Sequence, residues 1–331
     1  MSLVPMKQIL DEAMKGGYGV GAFNVNNMEQ IQAIMEAARR TASPVIIQAS
    51  RGALKYSNLI YLKHLMLAAV EENPDVPVAM HLDHGNGLEV IKQAIGLGFT
   101  SVMIDGSLME DGKTPSAYEY NVDITKKVVD YAHRFGVTVE GELGTLGGIE
   151  DGVGSGQIHL TDPTQAAAFI KATGVDALAI AIGTSHGAYK FKAAPALAIH
   201  LVEDIHRRCP SIPLVMHGSS SVPRDLVDTI NRYGGNMPNA MGVPMESIQA
   251  AIRKGVRKVN VDTDSRLAVT GAVRKVLVET PEKFDPRDYL KPAREAMMTV
   301  VEGKMKDFGQ AGHAGDYKPL SLENMKKIYE H

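Results

Sequence analysis

Short apolar runs alternate with stretches of helical period along almost the whole chain. Eight of the runs predict strands. They are GVGAFNV (19–25), PVIIQAS (44–50), VPVAMHLDH (76–84), SVMIDG (101–106), VTVEGELG (137–144), DALAIAIGTSHG (176–187), IPLVMHG (212–218) and KVNVDTD (258–264). Most are apolar at several consecutive positions rather than at every second one, which marks strands buried on both faces of a helix-covered parallel sheet. Helical patterns fill the gaps. MEQIQAIMEAARRTA follows the first strand, with Asn26 or Asn27 placed to cap it, and GLEVIKQAIGLG follows the third and ends in a helix-stopping Gly. Asp162-Pro163 and Pro223 open the helices after the fifth and seventh strands. Eight strand signals with helices between them predict an α/β chain folded as one (β/α)8 TIM barrel. The alternative, an open doubly wound sheet, is disfavoured because no GxGxxG opens the first helix.

No linker rich in Ser, Gly or Pro divides the chain, so residues 1–331 read as a single domain. The barrel core spans about 19–280, an N-terminal helix in the first 17 residues packs under it, and a helical extension covers about 284–331. GGNMPNAMGV (234–243) is a polar loop before a short helix, MESIQAAIRKG. GTLGGIEDGVGSGQ (144–157) holds six glycines in fourteen residues and reads as a mobile loop over the barrel mouth.

Composition narrows the function classes. With 35 basic and 38 acidic residues the net charge is −3, which argues against a nucleic-acid footprint or a polybasic membrane surface. The longest apolar runs fall far short of the ~18 residues of a membrane helix, and the N-terminus lacks the apolar core of a signal peptide. The one cysteine, Cys209, excludes an intrachain disulfide and a Cys-rich metal site, and favours a reducing, cytoplasmic setting.

A barrel's chemistry gathers at the carboxyl ends of its strands. There the sequence offers His81-Leu82-Asp83-His84-Gly85 on the third strand and Glu140-Gly141-Glu142 on the fifth. The sixth ends in Ser185-His186-Gly187 and the seventh in His217-Gly218. Three of the eleven histidines thus stand as the last strand residue before a glycine. His186 and His217 are 31 residues apart, one βα unit, and His84 and His186 are 102 apart, about three units. Three neutral imidazoles with an open fourth position form a catalytic zinc site. His81 lies deeper and reads as hydrogen-bonded within the barrel; His64, His133, His200 and His206 read as surface or packing residues on helices. Asp83 places a proton donor or acceptor beside the metal. Glu142 offers the metal a ligand, and with Asp105 it offers one to a second cation. Glu150 sits where a base could swing over a substrate. Gly187 and Lys190 after strand 6, Gly218-Ser219-Ser220-Ser221 after strand 7 and Asn260-Val261-Asp262-Thr263 at the end of strand 8 present phosphate-binding chemistry. No lysine lies within strand 6 or at the mouth end of another strand, so a Schiff-base mechanism lacks an obvious nucleophile. AFNVN after strand 1 contains no HxH, which disfavours the metal-dependent amidohydrolases.

Together HLDHG, GELGTLGGIEDG, GTSHGAYK, HGSSSVP and KVNVDTD closely resemble class II, metal-dependent fructose-1,6-bisphosphate aldolases, from GAFNVNN to DPRDYL. The loop lengths look more like the branch of many bacteria and of Calvin-cycle operons than the enterobacterial branch. The resemblance implies reversible cleavage of fructose 1,6-bisphosphate to dihydroxyacetone phosphate and glyceraldehyde 3-phosphate, as in glycolysis, gluconeogenesis or the Calvin cycle. It implies one Zn2+ held by His84, His186 and His217, with Glu142 a ligand in some states. Asp83 matches the residue that exchanges a proton with the aldehyde oxygen. Glu150 matches the base acting on the carbon beside the ketone, and Asn260 the group that positions the enolate end. Gly187, Lys190, Gly218, Ser219, Ser221, Asp262 and Thr263 match the cradle for the triose phosphate and a monovalent cation, Na+ or K+. Asn24 and Ser50 match positions facing the aldehyde half. Arg287 matches an arginine that reaches the other phosphate from a neighbouring subunit, which implies a homodimer or homotetramer. Ile149 stands where enterobacterial relatives carry an acid, which weakens the case for a second, structural divalent ion. Two rivals are a tagatose-1,6-bisphosphate aldolase and a non-catalytic phosphosugar-binding barrel. The latter's signature, loss of Asp83 or of a zinc ligand, is absent.

Overall fold

A computed structural model describes residues 2–148, 158–189 and 196–330. Its eight strands are β1 (Val20–Asn24), β2 (Val45–Ser50), β3 (Val78–Gly85), β4 (Ser101–Ile104), β5 (Thr138–Leu143), β6 (Ala177–Ile180), β7 (Leu214–Met216) and β8 (Val256–Val261). All pair in parallel, each with its successor, and β8 closes on β1 to complete a barrel. The continuous apolar runs are explained by this closure, because every strand residue is buried. Outward positions meet the helices and inward positions meet the opposite strands.

The helices packed around the barrel are α2 (Met28–Thr41), α3 (Arg51–Ser57), α4 (Leu59–Glu72), α5 (Leu88–Gly96), α6 (Tyr118–Ala132), α7 (Pro163–Thr173), α8 (Ile199–Arg208), α9 (Arg224–Arg232), α10 (Met245–Lys254) and α11 (Thr263–Glu279). Local chemistry sets several of their starts. Asn27, not Asn26, caps α2 by accepting from Gln30 N–H at 3.1 Å. Asp162 caps α7, with Pro163 at its first position. α1 (Met6–Gly16) closes the bottom of the barrel, where Val4, Met6, Ile9 and Leu10 pack on Ala22, Ala79, Ala177 and Ala179. Small inward residues at that level leave room for the helix side chains. After α11 the chain adds α12 (Pro286–Asp307), packed on α2 and α11, and α13 (Leu322–Tyr329). None of the described helices is long and apolar enough to cross a membrane.

Three strand ends near the site differ from the sequence expectation. β6 stops at Ile180, six residues before His186, and β7 stops at Met216, one residue before His217. Of the three histidines only His84 lies within a strand. β8 likewise ends at Val261, so Asp262 and Thr263 begin α11 rather than end the strand.

Candidate active site

Asp83 and His84 are adjacent, and adjacent strand residues ordinarily point to opposite faces. Here both line one cleft with Asn24, His186, Gly218, Ser219, Ser220, Asn260 and Asp262. The backbone permits this because the β3–β4 register shifts between Leu82 and Gly85, and His84 adopts a left-handed φ of 51°. Such a conformation is costly for a non-glycine residue and persists where its surroundings enforce it. His186 reaches the cleft by another route. Beyond β6 its N–H donates to Gly147 O at 2.9 Å, and Gly147 bridges Ser185, so the loop root after β5 fixes the histidine. Gly218 follows His217 with φ of 60°; a Cβ there would lie 2.7 Å from Ser185 O, so only glycine lets the two loops approach.

The three imidazoles converge. Donor atoms of His84, His186 and His217 all lie within 4.8 Å of one another and all three residues are buried. His84 Nε2 and His217 Nδ1 are 3.1 Å apart, close to the roughly 3.3 Å separating two nitrogens bound tetrahedrally to zinc at 2.0–2.1 Å. On the far side of each ring stands a carboxylate, Asp105 Oδ2 at 3.2 Å from His84 Nδ1 and Glu140 Oε1 at 2.8 Å from His217 Nε2. Carboxylates so placed fix ring orientation and leave the other nitrogen for a metal. His84, Asp105 and Glu142 form a second buried group with ligand geometry. Glu142 Oε2 is buried with no hydrogen-bond partner among the described residues.

Electrostatics agree with a cation site. Burial disfavours charge on His84, but Asp83, a hydrogen bond to Asp105, and Glu142 outweigh it and push the ring up to about 10. Burial, then Asp105, raises the Glu142 carboxyl well above its usual range. Burial would raise Asp83 too, yet His84, His217 and Lys258 hold it at about 2, ionised. Carboxylates thus outnumber the fixed positive charges around the imidazoles, the field a divalent cation needs.

Asp83 is gripped by amides. Asn24 Nδ2 and Gln48 Nε2 donate to its Oδ2, each at 3.2 Å, and Asn260 Nδ2 to its Oδ1 at 3.3 Å. Ser50 pairs with Asp83 across β2 and β3, and its Oγ accepts from Ala53 N–H at the start of α3. In the candidate phosphate cradle, Ser219 Oγ donates to Met216 O at 2.8 Å. Ser221 Oγ and N–H donate to Asp264, which Lys304 pairs at 2.8 Å. Asp262 is held by Arg266, and Thr263 is buried beside it. Gly187 follows His186 with φ of 85°. Arg287 is not brought to the cleft; it starts α12 on the surface and pairs with Asp285. Glu150 and Lys190 lie outside the described residues.

The profile of the family described as "Fructose-bisphosphate aldolase class-II" matches residues 4–313. The chain belongs to this family. It is 60% identical to a fructose-bisphosphate aldolase of Giardia intestinalis, with each chain covered in full. It is 55% identical to one of Pseudomonas aeruginosa, covering 99% of this chain and 97% of that one. Among solved structures it is similar to the YdjI aldolase from Escherichia coli K12, with a TM-score of 0.76, 30% identity and coverage of 94% and 99%. Class II aldolases depend on a metal, and the two buried ligand groups are where this member offers one.

Three residues that the site uses were given no role from the sequence: Gln48, Glu140 and Lys258. Each is fully buried, and each stands two positions before a residue that was given one, Ser50, Glu142 and Asn260. In a strand, position i−2 shares the face of position i, and a polar side chain there is the signal that would have found them. Lys258 leaves the expectation about lysines standing, since it is neither in β6 nor at the mouth end of β8. It lies in mid-strand, yet its long side chain carries Nζ to within 2.8 Å of Asn260 Oδ1.

Proposed function

We propose that the protein is a metal-dependent aldolase that reversibly cleaves fructose 1,6-bisphosphate into dihydroxyacetone phosphate and glyceraldehyde 3-phosphate. The observation that carries this reading is the joining of three convergent buried imidazoles to an ionised carboxylate, Asp83, in one cleft of a class II barrel. His84, His186 and His217 would hold Zn2+, and Glu142 would join them in some states. When bound, the metal supplies a Lewis acid for the negative charge left on the triose oxygens after the C3–C4 bond breaks. Asp83 takes the proton of the C4 hydroxyl in cleavage and returns it in condensation. Its three amide donors keep it ionised and aimed. Glu150 exchanges the proton on the carbon beside the ketone, and Asn260 positions that end of the triose. Gly187, Lys190, Gly218, Ser219, Ser221, Asp262 and Thr263 cradle its phosphate with a monovalent cation, Na+ or K+. Asn24 and Ser50 face the aldehyde half. Asp105 and Glu142, with His84, offer a second divalent ion a place.

The exposed position of Arg287 suits a residue that reaches the second phosphate of a neighbouring subunit's substrate, so we propose a homodimer or homotetramer. The single cysteine supports a cytoplasmic location.

Two assays test the reading. Turnover of fructose bisphosphate should exceed that of tagatose bisphosphate; the reverse order would reassign the sugar. Isotope exchange from dihydroxyacetone phosphate into water needs neither the aldehyde nor Asp83. Glu150→Ala should slow it, whereas Asp83→Ala should largely spare it. The opposite pattern would reverse the two acid–base roles.

A further inference from the structure

Two fully buried charged residues have no part in the chemistry proposed above, Glu140 on β5 and Lys258 on β8. These strands are not neighbours in the barrel, so the ion pair between Lys258 Nζ and Glu140 Oε2, 3.0 Å long, crosses its interior. A buried ion pair is weak evidence for stability, since apolar residues of the same volume often serve as well. Each partner of this pair also makes a second contact, and each of those contacts resolves an orientation that shape alone leaves open.

The ring of His217 has two nitrogens, and a half-turn exchanges their positions. Glu140 Oε1 can only accept, so the nitrogen 2.8 Å away, Nε2, carries the proton and donates. That leaves Nδ1 as the atom 3.1 Å from His84 Nε2. The amide of Asn260 has the same ambiguity. Lys258 Nζ can only donate, and it bonds Oδ1 at 2.8 Å. Nδ2 must then face upward, 3.3 Å from Asp83 Oδ1. Were that amide flipped, its oxygen would meet the Asp83 carboxylate, acceptor against acceptor. Asn260 Nδ2 also lies 3.1 Å from His217 Nδ1, so the two oriented groups touch.

We propose that Glu140 and Lys258 are positioning residues that act as one orientation lock, Glu140 on the imidazole of His217 and Lys258 on the amide of Asn260. The proposal rests on the reading of His217 as a metal ligand and of Asn260 as a group that positions substrate. Neither Glu140 nor Lys258 touches substrate.

Double variants keep the buried charge balanced, and they separate the two halves of the lock. In Glu140→Leu/Lys258→Met both contacts are gone. A thermal melt should show a folded protein whose zinc affinity, measured against a chromophoric chelator, has fallen roughly 10- to 100-fold. Its Co2+-substituted form should show a shifted visible spectrum, and kcat should stay low at saturating zinc. In Glu140→Gln/Lys258→Met the glutamine oxygen again accepts from His217. Zinc affinity and the Co2+ spectrum should return toward wild type while kcat remains low, because Asn260 is still unheld. Wild-type zinc affinity in the folded leucine variant, or wild-type kcat in the glutamine variant, would overturn the lock. A measurement on the unaltered enzyme covers the case in which neither variant folds. With 113Cd2+ loaded and histidine labelled with 15N, the metal should couple to Nδ1 of His217 and Nε2 of His84. Coupling to Nε2 of His217 would refute the proposal. If the unaltered enzyme takes up no divalent ion at all, it is the aldolase reading that fails.

Discussion

At the floor of the barrel the inward positions of the strands include Val20, Ala22, Ile46, Ala79, Ala177, Ala179 and Val215, closed by α1. Nearer the mouth, on β1, β2, β3, β5 and β8, stand Asn24, Gln48, His81, Asp83, Glu140, Glu142, Lys258 and Asn260, with His217 just past the end of β7. Both levels are buried, and what differs is the chemistry placed there. The floor gains stability from apolar contact and close packing. At the mouth, burying charge is unfavourable unless each group is paired or hydrogen-bonded, and the mouth answers with the Asp83 amides, the Glu140–Lys258 pair and the carboxylates behind the imidazoles. The barrel thus supports with one end a concentration of charge that the other could not fold around alone. Substitutions at the two ends should therefore fail in different ways.

The largest effect is expected at the metal group. His217→Ala should lose bound zinc and cleavage together, by roughly 10³-fold or more in kcat/KM. Metal analysis and a coupled cleavage assay check this. Full activity in excess chelator, or trapping of substrate by borohydride, would move the chemistry to a lysine instead. Asp83→Ala comes next. It should keep its zinc and its fold and lose turnover by roughly 10²-fold or more. An unfolded, metal-free Asp83→Ala would make the residue part of the scaffold and blur the contrast between the two ends.

The difference between floor and mouth also explains what could be read from the sequence. The parallel barrel was legible because outward faces meet helices and inward faces meet one another, so strands appear as unbroken apolar runs. Against such runs Asp83 and His84 stand out. His186 was legible as a residue but not as a position, because its place depends on Gly147 and the loop after β5, a contact that no local pattern encodes. The bulge that turns His84 into the same cleft as Asp83 leaves no mark in HLDHG. Lys258 was hidden by its reach: its backbone belongs to mid-strand while its ammonium lies beneath the site. The first helix was legible as a helix under the barrel, but not that it needs four alanines on three strands to seat its side chains.

That seating gives a test of the floor. Ile9 of α1 is fully buried against the inward alanines. Ile9→Ala should lower unfolding free energy by about 2–5 kcal/mol, as measured by denaturant titration. The folded fraction should keep kcat and zinc affinity unchanged. A loss of turnover in fully folded Ile9→Ala would mean that the two ends are mechanically coupled, and that the mouth's geometry is not held by its own polar contacts.

The smallest effect concerns protons at the mouth. In the metal-free protein, burial opposes charge on His84, but Asp83, Asp105 and Glu142 together push the ring up to about 10. Its folded value is raised above the ordinary ~6.5. The stability it contributes is therefore fully present below about pH 6.5 and is lost as pH rises through about 10. Chelated protein should lose stability between neutral and alkaline pH. A metal needs the lone pair that this proton occupies, so below about pH 9 binding should release about one proton from His84. His217 contributes none, since burial and the field of His84 and Lys258 keep it neutral. Apparent affinity for zinc should then rise about tenfold per pH unit across that window. Titration calorimetry in two buffers of different ionisation enthalpy counts the proton. A count near zero at pH 7.5 would mean that His84 is already neutral without metal, and that the carboxylates around it hold their own protons rather than lending their charge to the ring.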